Sequence, residues 1–253
     1  MAWRAWSERV VLLEVHRLSK TFGGLKAVDD ASLCVGQGEI VGLIGPNGAG
    51  KTTLFAAIAG FYEADSGQVL FDGQDLTHLE PHLISLAGMV RTFQITQPFA
   101  GISVRQNIMV GAYLRTGNRR QAMSEAERVA AMVGMEKLLD RRGADLTVAG
   151  RKRLELARAL ATGPRLLLLD EVMAGLNPTE IDEIVDVIKH IRASGITILL
   201  IEHVMQAVTS LAERLYVLNQ GRIICEGTPA SVASDPAVIE AYLGHGAAKV
   251  LGA

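Results

Sequence analysis

The most specific chemistry in the chain sits in Gly45-Pro46-Asn47-Gly48-Ala49-Gly50-Lys51-Thr52. The spacing matches G-x-x-x-x-G-K-[ST]. Glycines at these places let the backbone curl so that its N–H groups point inward at phosphate oxygens, and a helix starting there adds its dipole. Lys51 can reach the β- and γ-phosphates. Thr52 offers a hydroxyl to Mg²⁺, which keeps most of its waters and accepts few protein ligands. A strand-like run before the loop and a helical run after it separate this reading from a glycine-rich turn in front of a core helix. The chemistry implied is capture of a nucleoside triphosphate. The same glycines do not fit the dinucleotide pattern G-x-G-x-x-G.

A second constellation follows later in the chain. Leu166 to Leu169 is a continuous apolar run that ends in Asp170-Glu171. Parallel sheets place ligands at the C-terminal ends of their strands. Asp170 there would support Mg²⁺ through its water shell, and Glu171 would orient and polarise an attacking water. Read in isolation, two acids at a strand end are a solvated pair; a phosphate loop upstream tips the balance to the catalytic reading. His203 follows another apolar strand, and a neutral imidazole there could bond the γ-phosphate and hold the water geometry. Gln94 ends the first α/β block, where an amide can approach Mg²⁺ and the water. By itself Gln94 carries no signal.

These groups need elements to hold them. Val10–Leu18, Ala31–Val35 and Glu39–Ile44 read as strands, Gly50–Ala59 as a helix, and Gln68–Phe71 as a short strand between turn signals. From Ser103 to Leu160 the pattern is helical. Ser103 caps one helix, and Ser124 with Glu127 forms a capping box for the next. Pro178 opens a helix that Gly195 ends. Ile196–Ile201 is a buried strand, and Tyr216–Leu218 with Arg222–Cys225 makes a hairpin around Asn219-Gln220-Gly221. This is an α/β core interrupted by an α lobe.

At 253 residues the chain can bury a full core, with 49% apolar and 21% charged residues. Its 25 basic and 27 acidic residues give no electrostatic footprint for nucleic acid or anionic lipid. No apolar run reaches the roughly 18 residues of a membrane span. The N-terminus lacks the apolar stretch of a signal peptide. The expectation is a soluble chain that meets a membrane only through a partner. Residues 1–9, with Trp3 and Trp6, read as a flexible tail, and Cys34 and Cys225 as buried thiols in a reducing compartment. His78-Leu79-Glu80-Pro81-His82 holds metal-type residues, but its proline breaks any shared helical face, so it reads as a surface loop.

Taken in order, Lys51-Thr52, Gln94, the stretch from Leu146, Asp170-Glu171 and His203 resemble the nucleotide-binding subunit of ABC transporters across nearly the whole chain. More narrowly, the chain resembles the branched-chain (hydrophobic) amino-acid importer ATPases of bacteria. That likeness is carried by Phe22 to Val28, Arg91 to Gln94, Arg153 to Leu160, Glu171 to Pro178, Glu226 to Pro229 and Val238 to Gly244. Importers for urea, amides or aromatic acids look much the same. The resemblance implies a P-loop NTPase (RecA-like) core with an antiparallel β subdomain over 10–94 and 164–253. It implies an inserted helical subdomain over 95–163.

By the same resemblance, ATP is contacted by Gly45, Pro46, Asn47, Gly48, Ala49, Gly50, Lys51, Thr52 and Thr53. Mg²⁺ is served by Thr52, Gln94 and Asp170, and catalysis by Glu171, His203 and Gln94. Phe22 matches the aromatic that stacks on adenine, and fits equally a core phenylalanine after the first strand. The partners implied are two transmembrane permease subunits, a second ATPase subunit in a head-to-tail dimer around two ATP molecules, and a periplasmic binding protein acting indirectly. No nucleic acid is implied. The place implied is the cytoplasmic face of the inner membrane. An exporter motor, or a soluble ABC ATPase without a transport role, is the alternative from a different class.

Two departures stand out against the family pattern. Its signature, L-S-G-G-Q or L-S-Y-G-Q, opens a helix whose N-terminus donates to the γ-phosphate held by the other subunit. Here Leu146 and Thr147 match in kind, Val148 takes a variable place, Ala149 replaces a glycine and Gly150 replaces the glutamine. Ala149 keeps the backbone N–H, and its methyl matters only where φ is positive or the phosphate comes very close. A working clasp is the reading. A clasp weak enough to need a partner with the orthodox motif is the alternative. Asn177 stands where the family often has Asp.

Overall fold

The structure, a computed structural model, describes residues 10–92 and 98–243. Gln94, Trp3 and Trp6, and with them the expected tail, lie outside the described residues. The described residues pack into two compact units, one drawn from residues 10–84, 197–201 and 212–243 and the other from residues 85–92, 98–196 and 202–211.

In the first unit, β1 (Val11–Phe22) and β2 (Leu25–Gly36) form a long antiparallel hairpin. β4 (Ser66–Phe71) and then β5 (Gln74–Asp75) continue its sheet in the order β2-β1-β4-β5. β1 and β2 are longer than the sequence pattern suggests. Register shifts after Val11, Val15, Leu18 and Lys20 break the period-two alternation that marks a strand.

A parallel layer in the same unit centres on β3 (Ile40–Ile44). β8 (Thr197–Ile201) pairs along one side of it and β9 (Arg214–Asn219) along the other, while β10 (Arg222–Gly227) runs antiparallel to β9. Every residue of β3 and β8 is buried, which is why neither strand alternates apolar with polar residues. Arg214 fastens this layer. Its guanidinium donates to both oxygens of Glu39 at 2.9 and 3.0 Å, and to Tyr216 Oη at 2.7 Å and Glu226 Oε1 at 2.6 Å. Helix α1 (Lys51–Ile58) follows β3. The short helices α8 (Pro229–Ala233) and α9 (Pro236–Leu243) follow β10.

The second unit holds β6 (Met89–Arg91) and β7 (Leu166–Asp170), paired in parallel, with α3 (Val104–Ala112), α4 (Arg119–Met132), α5 (Val148–Ala161), α6 (Pro178–Ala193) and α7 (Met205–Leu211). α3, α4 and α5 pack on one another. Ser103 caps α3 in a capping box with Gln106. The box expected at Ser124 and Glu127 does not form, because Ser124 lies inside α4. That helix starts earlier, where Asn118 accepts from the Arg120 and Gln121 N–H groups. Asparagine caps at least as well as serine, and an earlier start buries Ala122 as well as Ala126 and Val129.

Two further sequence expectations change. Pro81 opens a short helix, α2 (Pro81–Ala87), instead of lying in a loop, since proline at a first helical position gives up no hydrogen bond. His78 and His82 are each close to a glutamate, Glu63 at 3.7 Å and Glu80 at 3.3 Å. Cys34 and Cys225 are free thiols but only half-buried. No helix among the described residues is long and apolar enough to cross a membrane.

Candidate functional site

In the first unit, β3 delivers the chain directly into the Gly45–Lys51 turn, and α1 begins at its end. Gly45 has φ +151 and Gly50 φ +102, conformations that side chains rarely adopt. Space closes the same two positions. A Cβ on Gly45 would lie 2.0 Å from the Leu218 carbonyl oxygen, and one on Gly50 2.1 Å from the Ala27 oxygen. The loop is pinned from behind by the Gly221 N–H donating to the Ala49 oxygen at 2.9 Å. Lys51 is buried, and its ammonium donates to the Gly45 and Pro46 carbonyls at 2.8 and 3.0 Å. Asn47, Gly48 and Thr52 are exposed, and Pro46 and Thr53 half-buried. Gly50, as N-cap, offers α1 no side-chain cap. The result is a buried cation behind a curled backbone, in front of an uncapped helix N-terminus: the parts of an anion site.

Phe22 ends β1 with its ring 41% exposed, which excludes the core role. Tyr62 meets it edge-on at 5.1 Å, and the Lys20 ammonium lies 5.5 Å from its centroid. Lys20 and Tyr62 are neighbours that sequence reasoning missed; no spacing rule links them to Phe22.

In the second unit, β7 ends at Asp170, which is fully buried. Arg91, at the end of β6, donates to its Oδ2 at 2.7 Å. The other oxygen, Oδ1, is buried with no hydrogen-bond partner among the described residues. A buried carboxylate oxygen without a donor is costly unless something else binds it. Glu171 comes next, with a left-handed φ of 50°. Its Oε1 lies 2.7 Å from His203 Nε2. With the carboxylate ionised, that nitrogen carries the proton and donates it. Lys152 donates to the Glu171 carbonyl at 3.4 Å. Between the strand end and His203 stands Glu202, 2% exposed, with its carboxyl pKa raised by burial. The structure therefore brings Glu171 and His203 together and ties Asp170 to Arg91. The signal for Glu202 was faint: one charge at the end of an apolar run, which solvent exposure would equally explain.

The stretch from Leu146 opens α5. Leu146 is buried, Thr147 is the N-cap, and the Thr147 hydroxyl accepts the Gly150 N–H at 3.1 Å. Val148 is 55% exposed, and the Ala149 side chain is buried. Ala149 is absent from the positive-φ residues, so its methyl meets no backbone penalty. Asn177 is the N-cap of α6. Its Oδ1 accepts the Glu180 N–H at 3.0 Å, and Glu180 returns a bond to the Asn177 N–H at 3.0 Å. That amide already has a local partner.

Comparison with known proteins gives these parts a common frame. Residues 28–174 match the ABC transporter family, and residues 222–248 match the family of branched-chain amino acid ATP-binding cassette transporters. Over 250 residues the chain is 41% identical to the high-affinity branched-chain amino acid transport ATP-binding protein LivG of Escherichia coli K12, covering 92% of this chain and 98% of that one. It is 36% identical over 234 residues to the lipopolysaccharide export system ATP-binding protein LptB of the same organism, covering 92% and 97%. Among solved structures, the ADP conformation of an ATP-binding cassette of an ABC transporter superposes with a TM-score of 0.85 at 34% identity, covering 93% of this chain and 100% of that one. A P-loop NTPase core with an antiparallel β sheet and a helical insert, matched over nearly its full length, belongs to the ABC transporter family, and the chain is an ATP-binding, ATP-hydrolysing subunit of such a transporter.

Proposed function

We propose that this subunit is the motor of an importer for branched-chain or other hydrophobic amino acids. The observation that carries the reading is the match of residues 222–248 to a family described by that substrate class, beyond the general cassette. Two copies, or this chain and a paralogue, close head-to-tail on two ATP molecules, and closure moves two permease subunits at the cytoplasmic face of the inner membrane. A periplasmic binding protein delivers the solute. Residues 95–163 form the subdomain that meets the permease.

Each residue then has a task. Gly45 to Thr53 cradle the phosphates, with Lys51 turning from the loop carbonyls to the β- and γ-oxygens, and Phe22 stacks on adenine. The buried Oδ1 of Asp170, which has no donor among the described residues, fits a Mg²⁺ ion or its bound water, with Thr52 and Gln94 as the other ligands. Such an ion would neutralise charge on the transferring phosphoryl group. Glu171 orients and polarises the attacking water, and His203 holds the Glu171 carboxylate and the γ-phosphate. Thr147, Val148, Ala149 and Gly150 present the α5 N-terminus to the ATP of the opposite subunit.

The test uses purified Glu171→Gln. It should bind ATP with unchanged affinity and hydrolyse it about 10²–10⁴-fold more slowly. Its solution mass should double only with ATP and Mg²⁺. Normal hydrolysis by this variant would falsify the water-activating role. A second reading, an exporter motor, is favoured by the likeness to the lipopolysaccharide export protein. Uptake of radiolabelled leucine by cells with and without Lys51→Ala separates the two: uptake lost in the variant supports the importer, and unchanged uptake removes it.

A further inference from the structure

The Glu171–His203 pair is held in an unfavourable backbone. Glu171 has φ 50°, a conformation that is unfavourable for a non-glycine residue and persists only where neighbours over-determine it. The neighbours are identifiable. Glu202 accepts the Met173 N–H on its Oε1 at 2.9 Å, and its own backbone leads directly into His203. One buried side chain, on the residue before His203, thus grips the chain two residues beyond Glu171. The Glu171 carbonyl is taken by the Ala174 N–H at 3.2 Å and by Lys152, 6% exposed, at 3.4 Å.

We propose that Glu202 is a positioning residue for ATP hydrolysis. It fixes the Glu171 and His203 backbones in one frame, so that carboxylate and imidazole stay 2.7 Å apart and face the reacting water together. The Met173 N–H bonds a carboxylate oxygen, and a carboxylate is a stronger acceptor than a neutral amide. A glutamine of the same size offers that N–H only a neutral oxygen, beside an NH₂ group that can only donate. The frame loosens without a cavity. Misplacing a reacting group by an ångström costs about 10²-fold in rate. The proposal rests on Glu171 as the water-activating residue.

The experiment is a double-mutant cycle of Glu202→Gln with Glu171→Gln in the purified protein, followed by steady-state and single-turnover hydrolysis of radiolabelled ATP. Glu202→Gln alone should lower kcat about 10- to 100-fold and change the KM for ATP by less than about twofold. In the Glu171→Gln background the same change should lower the residual rate by less than about threefold, because its target is already gone. Lys152→Gln, which releases the other grip on Glu171, should show a smaller kcat loss with the same dependence on Glu171. A Glu202→Gln enzyme at the unaltered rate overturns the proposal. So does an equal loss in both backgrounds, which would mark Glu202 as a folding residue only. If Glu171→Gln itself hydrolyses ATP normally, the underlying reading of Glu171 falls first. If it is inactive while Glu202→Gln is fully active, the positioning role alone falls.

Discussion

Helix α1 begins at a left-handed Gly50 that offers no side chain to the first N–H groups, whereas α5 begins at Thr147, whose hydroxyl takes the Gly150 N–H. The first terminus keeps the family pattern residue for residue; the second departs at Ala149 and Gly150. Their backbones explain why. Around α1, positive φ and contacts of 2.0 and 2.1 Å from a would-be Cβ leave glycine as the only occupant of positions 45 and 50. At Ala149 φ is not positive and the methyl turns into packed side chains, while the N–H still points along the helix axis. A glycine that the backbone requires cannot drift. One that merely lies in a helix's first turn can.

That contrast can be tested by substitution. The largest effect belongs to Lys51→Ala, which removes a buried cation from behind the loop. ATP affinity should fall about 100-fold or more, measured by calorimetry, with the fold retained by circular dichroism. Gly50→Ala comes next. It should lower ATP affinity at least about tenfold and stability by more than about 1 kcal/mol in urea titrations. Near-normal binding here would break the comparison at its stronger end. Thr147→Ala removes the α5 cap and should cost about 1 kcal/mol of stability, leaving ATP binding by the monomer intact. Smallest of all is Ala149→Gly. Restoring the family's glycine should change ATP-driven dimerisation by less than about threefold in sedimentation experiments, with a slight loss of helix stability. A tenfold gain in dimerisation would show that the methyl does obstruct the clasp.

The two regions also differ in how far they could be read from the chain. The phosphate loop is local: its ligand groups are backbone N–H groups and one lysine within eight residues, so spacing alone specifies it. The Ser103 and Pro178 helix starts are local in the same way. α4 shows the limit of local reading, because Ser124 and Asn118 both have capping chemistry and the burial of Ala122 decides between them. β1 and β2 show another, since bulges erase the alternation that would have revealed their full length. The acid–histidine cluster is non-local: the partners of Asp170, Glu171 and Met173 come from Arg91, His203, Lys152 and Glu202.

What the amino-acid order determined by itself was the chemistry class and its vocabulary: a triphosphate loop, two acids after a buried strand, a histidine after another, and apolar runs only a parallel sheet could bury. These follow from short-range rules of spacing and hydropathy, and they survive two departures from the family pattern. Only the tertiary structure decided which of those groups meet. It left Asp170 Oδ1 without a donor among the described residues and set Glu171 in a left-handed backbone. It also turned Glu202 and Lys152 inward as buried charges. Burial and strain depend on residues distant in the chain, and a charge at the end of an apolar run reads the same whether it faces water or grips the backbone beside a catalytic pair.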